Sequence, residues 1–355
     1  MFYRETGNFR ASYAQDARIF PLALDRTALL VLLALAVIVV PSVASPWLLM
    51  AILIPWLILS LAAMGQNIIT GYTGQLSIGS AGFMAVGAFA CFNFMLRIEG
   101  MPFLLAVLLA GLTTAAVGVA FGLPSLRIRG LYLAVATLAA QFFIVWMLEN
   151  VGWFTNYDPA GVMTAQPMII LGYHFDTPAE KYLLVLAIVG GLALAAKNMA
   201  RSNIGRSWMA VRDMDVAAEV VGFRLMRTKL VAFAISSFYC GVAGALFAFA
   251  YLGTVEPSAF SILLSFQILF MVIIGGLATI LGSFLGAAFI LLLPIFLANF
   301  FHFVTGGVFD QALLSAFEVL LFGAFIIFFL IVEPHGLARL WQVPKERLRL
   351  WPFPH

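Results

Sequence analysis

Apolar residues run along this chain in blocks of roughly 20, broken by short clusters of glycine, proline and charge, and a bilayer-spanning helix needs about 20 such residues. The blocks predict spans near 28–45, 47–69, 75–96, 102–123 and 131–149, then 182–199, 229–251, 260–277, 282–301 and 312–332. An even count returns both termini to one side. The fold expected is an all-α polytopic membrane protein of about ten transmembrane helices, an arrangement that admits a 5+5 inverted repeat. The first block carries a second reading: Arg26, an apolar run and the ending Ser42-Val43-Ala44 resemble a signal peptide with a small-residue cleavage site. The length of that run, about 27 Å at helical rise, and the long polar segment before it favour an uncleaved span.

Composition agrees with the block pattern. Of 355 residues, 63% are hydrophobic and 10% charged, with a mean hydropathy of +1.06, where a soluble domain carries roughly 25% charged residues. Ten spans leave no room for a separate soluble catalytic domain. The two cysteines, Cys91 and Cys240, lie in apolar stretches, so neither a disulfide framework nor a metal site is expected.

The net charge of +3 matters less than its distribution. In the ten-span arrangement 17 of the 19 Lys and Arg residues fall on one side, and only Arg97 and Lys181 on the other. Basic loops stay cytoplasmic, which places both termini inside. The chain then divides into a cytoplasmic tail over 1–27, a transmembrane domain over 28–332 and a second cytoplasmic tail over 333–355.

Three segments depart from the lipid-like background. Residues 65–87 hold six glycines together with Asn67, Thr73, Gln75, Ser77 and Ser80. Irregular backbone at membrane depth survives only where protein buries it or it lines a cavity. Close packing through small residues explains the glycines and serines but not the amides and threonines, so lining of a pathway and packing both stand. The external loop 150–181 holds Trp153, Thr155, Asn156, Tyr157 and His174, either as an ordinary loop with interfacial aromatics or as a gate or docking surface. The basic stretch 197–229 contains Val216 to Val221, a short helix that Asp215 can cap and Gly222 can stop. It is too short to span, and lies on the membrane surface or in a partner's groove.

Several chemistries are missing. No phosphate-binding Gly-x-x-x-x-Gly-Lys-Ser/Thr loop, no His-Glu-x-x-His and no cysteine cluster occurs, so the chain does not itself hydrolyse ATP by a Walker mechanism, and no catalytic residue or metal ligand is assigned. Glu318 is the one acid well inside an expected span, and an intramembrane carboxylate is a functional candidate.

At Gly71-Tyr72-Thr73-Gly74-Gln75-Leu76-Ser77-Ile78-Gly79-Ser80-Ala81-Gly82-Phe83 the chain resembles the LivM-type branched-chain amino acid ABC transporter permease family. Further matching segments follow in family order: Leu126 to Ala134, Gly205 to Arg212, Ala217 to Gly222, Lys229 to Phe233, Gly275 to Gly286 and Pro334 to Leu337. The likeness covers about residues 50–340. It implies a permease subunit of a bacterial inner-membrane importer, working with a sister permease, two cytosolic ATPases and a periplasmic substrate-binding protein. No cofactor is expected in this chain; ATP and Mg would be held by the ATPases. By the same likeness residues 200–228 form the ATPase-coupling segment, with Arg206, Arg212, Asp215, Ala217, Ala218, Glu219 and Gly222 as its candidate residues.

Two positions depart from the family pattern. Thr155-Asn156-Tyr157 stands where members commonly have Thr-Gly-Gly, and Ser80 where many have His. Both bear on the substrate, so a urea or short-amide permease of the same family is the alternative to an amino-acid importer. A rival of another class is an ion-coupled secondary transporter using Glu318.

Overall fold

The computed structural model describes residues 11–12, 23–125, 132–158, 160–170, 172–305, 317, 320–321, 323–325, 327–329, 331 and 336–350. The described chain is helical almost throughout. In order the helices are α1 (Thr27–Val43), α2 (Pro46–Tyr72), α3 (Ser80–Arg97), α4 (Phe103–Ser125), α5 (Tyr132–Asn150), α6 (Pro178–Arg201), α7 (Asn203–Asp213), α8 (Asp215–Val220), α9 (Leu225–Leu252), α10 (Ile262–Gly275), α11 (Ile280–Thr305) and α12 (Gly336–Leu350). Seven of them, α2 to α6, α9 and α11, are long and apolar enough to cross a membrane; α1 and α10 are apolar but shorter. The last expected span, 312–332, falls mostly outside the described residues, as does Glu318.

Local chemistry explains the helix boundaries. Ser45 caps α2, its Oγ accepting from the Leu48 amide at 3.2 Å, and Pro46 follows at the first helical position. Pro41 and Pro55 each follow a widened, π-helical turn, at Leu35–Val39 and Leu49–Leu53, which accommodates the donor that proline lacks. At the start of α6, Thr177 and Glu180 form a reciprocal capping box.

Helices α2, α3 and α9 form the centre, with α4, α6, α10 and α11 packed around them. The approach is close because small residues face one another. A Cβ on Gly87 would collide with Gly241, one on Gly244 with the Met84 carbonyl, and one on Gly65 would stand 2.9 Å from the Ser236 carbonyl. Without a hydrophobic drive between helices in lipid, such backbone contact is what holds spans together.

The two ends of the bundle differ. At one end, α7 and the start of α12 meet the C-terminal ends of α2 and α10, and α8 lies against α7 and α9. At the other, Arg97 lies 4.1 Å over the Trp153 ring and donates to the Trp153 carbonyl at 2.9 Å. There the loop after α5 is tied down by two antiparallel ribbons, Met163–Thr164 with Thr254–Val255 and Ile169–Ile170 with Tyr173–His174.

Candidate functional site

The glycine-rich segment is a break between two helices, and its helical part begins later than the apolar pattern predicts. Helix α2 widens over Ile68–Tyr72 and ends; residues 74–79 are neither helix nor strand; α3 begins at Ser80, five residues after the expected start at 75. Gly74 makes the turn possible with φ +69. The start of α3 meets the middle of α5 and the upper part of α10, so its first amides lie among helices rather than at a bundle end. The Ala81 amide donates to Ser265 Oγ at 2.9 Å, the Gly82 amide to Gln141 Oε1, and the Ile78 amide to Thr137 Oγ1 at 3.0 Å. Gln141 in turn accepts from Ser265 Oγ and donates to the Phe260 carbonyl. These side chains do for the break what water would do at a surface.

All five residues expected along a pathway are buried, at 5% exposure or less, and they separate into different tasks. Asn67 clamps the turn between α10 and α11: its Nδ2 donates to the Thr279 carbonyl at 2.7 Å and to Ser283 Oγ, and its Oδ1 accepts from the Ala278 amide at 2.8 Å. That turn holds Ala278 at φ +58, a conformation costly for a residue with a Cβ. Thr73 donates to the Ile69 carbonyl and accepts from Gln75 Nε2. The Ser77 carbonyl accepts from Gln66 Nε2 at 2.7 Å. Gln75 Oε1 and Ser80 Oγ are buried with no hydrogen-bond partner among the described residues.

Directly below the break lies α7. Trp208 and Val211, each 1% exposed, press on the core. Trp208 lines a cavity with Met64, Asn67, Ile68, Tyr72 and Ser283, about 10 Å³ of which is open to the centre of a water molecule, room for one. Its indole Nε1 has no partner among the described residues. Arg212, one turn on, donates from Nη1 to the Gly71 carbonyl at 3.2 Å. Arg206 is exposed and bonds Asn203.

Helix α8 faces the other way. Val216, Val220 and Val221 are 72–84% exposed, Ala217 and Glu219 are exposed, and only Ala218 is buried. Asp215 does not cap this helix: it is the first helical residue, and its carboxylate pairs with Lys229 at 2.7 Å, tying α8 to α9. Gly222 does end it, at φ +102, with the Phe223 amide returning to the Ala218 carbonyl.

At the far end Thr155, Asn156 and Tyr157 form one turn. Asn156 and Tyr157 have φ +51 and +58, left-handed values that glycine adopts without cost. Thr155 is buried, and the Tyr157 ring lies against Gly152 while the residue is 76% exposed.

Thr137, Gln141, Ser265 and Ser283 were not singled out from the sequence. Polar side chains at the centre of otherwise apolar blocks were the available signal, strongest for Gln141.

Residues 48–330 match a family model described as branched-chain amino acid transport system, permease component. The chain is similar to the high-affinity branched-chain amino acid transport system permease protein LivM of Salmonella typhimurium and of Escherichia coli. It is 28% identical to each over 309 residues, covering 81% of this chain and 68% of each relative. It is also 28% identical over 170 residues, 46% of either chain, to the autoinducer 2 import system permease protein LsrC of Klebsiella pneumoniae. No solved structure matches it significantly.

Proposed function

The chain belongs to the branched-chain amino acid transport permease family, and from that premise we propose that it is the permease subunit of an ABC importer. With a sister permease it forms the inner-membrane path for branched-chain or related amino acids. Two cytosolic ATPase subunits that bind ATP and Mg power it, and a periplasmic binding protein selects the substrate. On this reading α1, α10 and the segment 312–332 complete ten spans, and both termini are cytoplasmic.

The observation that carries the reading is the placement of α8. It stands on the basic end of the bundle with its valines and Glu219 exposed, beside α7, which packs against the helix break. An exposed apolar helix of this kind fits a partner's groove. ATP-bound and nucleotide-free ATPases drive transport by binding two permease conformations unequally. The external turn at 155–157 faces the binding protein.

The test is reconstitution in vesicles of the chain and its sister permease, with and without the ATPases, with external binding protein and labelled leucine. Uptake that needs both the ATPases and ATP is expected. Concentrative uptake by the permeases alone, driven by an ion gradient, would overturn the proposal.

A further inference from the structure

Among the residues assigned to the coupling segment, Arg212 reaches the helix break directly. The exposed side of α8 faces away from the bundle, whereas Arg212 turns inward, and its side chain keeps only 34% of its exposure. Its acceptor is a carbonyl that the helix cannot satisfy. In a continuous helix the Gly71 oxygen would accept from the amide of residue 75. Here the Gln75 amide bonds the Ile69 carbonyl at 3.0 Å instead, because the chain unwinds after Tyr72. The guanidinium takes the vacated acceptor with Nη1 and uses Nε and Nη2 to hold Asp213, at 2.9 and 2.8 Å. The aliphatic stem lies against Gly74, where a Cβ would stand 2.9 Å from Arg212 Cγ. Trp208, one turn earlier on α7, is set beside Tyr72 and Asn67 around the small cavity.

We propose that Arg212 is a positioning residue for transport, the grip by which displacement of the α7–α8 unit is passed to the helix break at 71–79. This rests on the reading of α8 as the ATPase contact. A pull on α8 reaches α7 directly, since the Ala218 amide bonds the Met214 carbonyl between them. From α7 the charge-assisted bond to Gly71 draws on the unwound backbone, whose other end is the start of α3. Because α8 and Arg212 face opposite ways, loss of the grip leaves the docking surface intact. A residue that only stapled the fold would be missed in stability; a grip is missed in the ratio of transport to hydrolysis.

The experiment uses the complete complex of both permeases and both ATPases in phosphatidylethanolamine–phosphatidylglycerol vesicles, with external binding protein and labelled leucine. ATP hydrolysis, uptake and co-purification of the ATPases are measured together for wild type, Arg212→Gln and Arg212→Lys. In Arg212→Gln the ATPases should co-purify as in wild type and hydrolysis should continue, while ATP consumed per leucine imported rises about tenfold, the scale of one charge-assisted hydrogen bond. Arg212→Lys keeps the charge and stem but cannot serve Gly71 and Asp213 together, so an intermediate ratio of about threefold is expected. A wild-type ratio in both variants overturns the proposal. So does loss of ATPase co-purification in Arg212→Gln, which would make Arg212 a docking contact. If the wild-type complex shows no ATP-dependent uptake at all, the functional reading fails, and this inference with it.

Discussion

The amide of Asn67 is satisfied at both ends by the 278–283 turn, while the hydroxyl of Ser80 is buried without a partner among the described residues. Removing Asn67 leaves the Ala278 amide and Thr279 carbonyl without their partner, at about 1–3 kcal/mol for each unsatisfied group. Asn67→Ala should therefore lower the detergent melting temperature clearly, and Ser80→Ala should leave it within error. If Ser80→Ala instead reduces uptake at unchanged stability, its hydroxyl meets the substrate; equal stability in both variants would refute the clamp. Both residues stood out in the sequence for one reason, polarity inside a glycine-rich apolar block. What separates them is more than 200 residues away in the chain, at positions 278–283, and no local pattern reports it. The opposite holds at Asn156 and Tyr157. Their departure from a Gly-Gly pattern was visible, and the left-handed backbone found there is its physical meaning.

Among the elements, α8 was the most legible, since Gly222 ends it where the sequence places a stop. Its start was misread: aspartate before a short apolar run suggests a cap, but Lys229 draws the carboxylate away. Glu219 is exposed and belongs to no span. Glu219→Lys should leave expression and melting temperature near wild type, yet reverse the charge at the docking surface and cut ATPase-driven uptake about tenfold. Normal uptake by this variant would remove α8 from the interface. The start of α3 was not legible. Leu76 and Ile78 make residues 74–79 apolar enough to extend the span backwards, and only Gln66, Thr137 and Gln141, on other helices, show how a non-helical segment is satisfied there.

At the scale of the whole molecule, the alternation of apolar blocks anticipated the described spans, and α7 and the start of α12 share the end of the bundle where α2 and α10 stop. In this conformation Thr73, Ser77 and Ser80 are at most 3% exposed. If the break opens during the cycle, cysteines at these positions should resist a water-soluble thiol reagent at rest and react when ATP is trapped on the partner subunits. Three cysteines silent in both states, with transport intact, would leave the segment as packing alone. The clamp by Asn67 also sets a timetable for biosynthesis. Asn67 and Ala278 are separated by 211 positions, and at about 5–20 residues per second a ribosome needs roughly 10–40 s to make that interval. Until α10 and α11 have been inserted, the end of α2 waits in the membrane with its amide unanswered. The first helices of the nascent chain therefore depend on the insertion machinery, or on transient substitutes among their own groups, for as long as the later half is still being made.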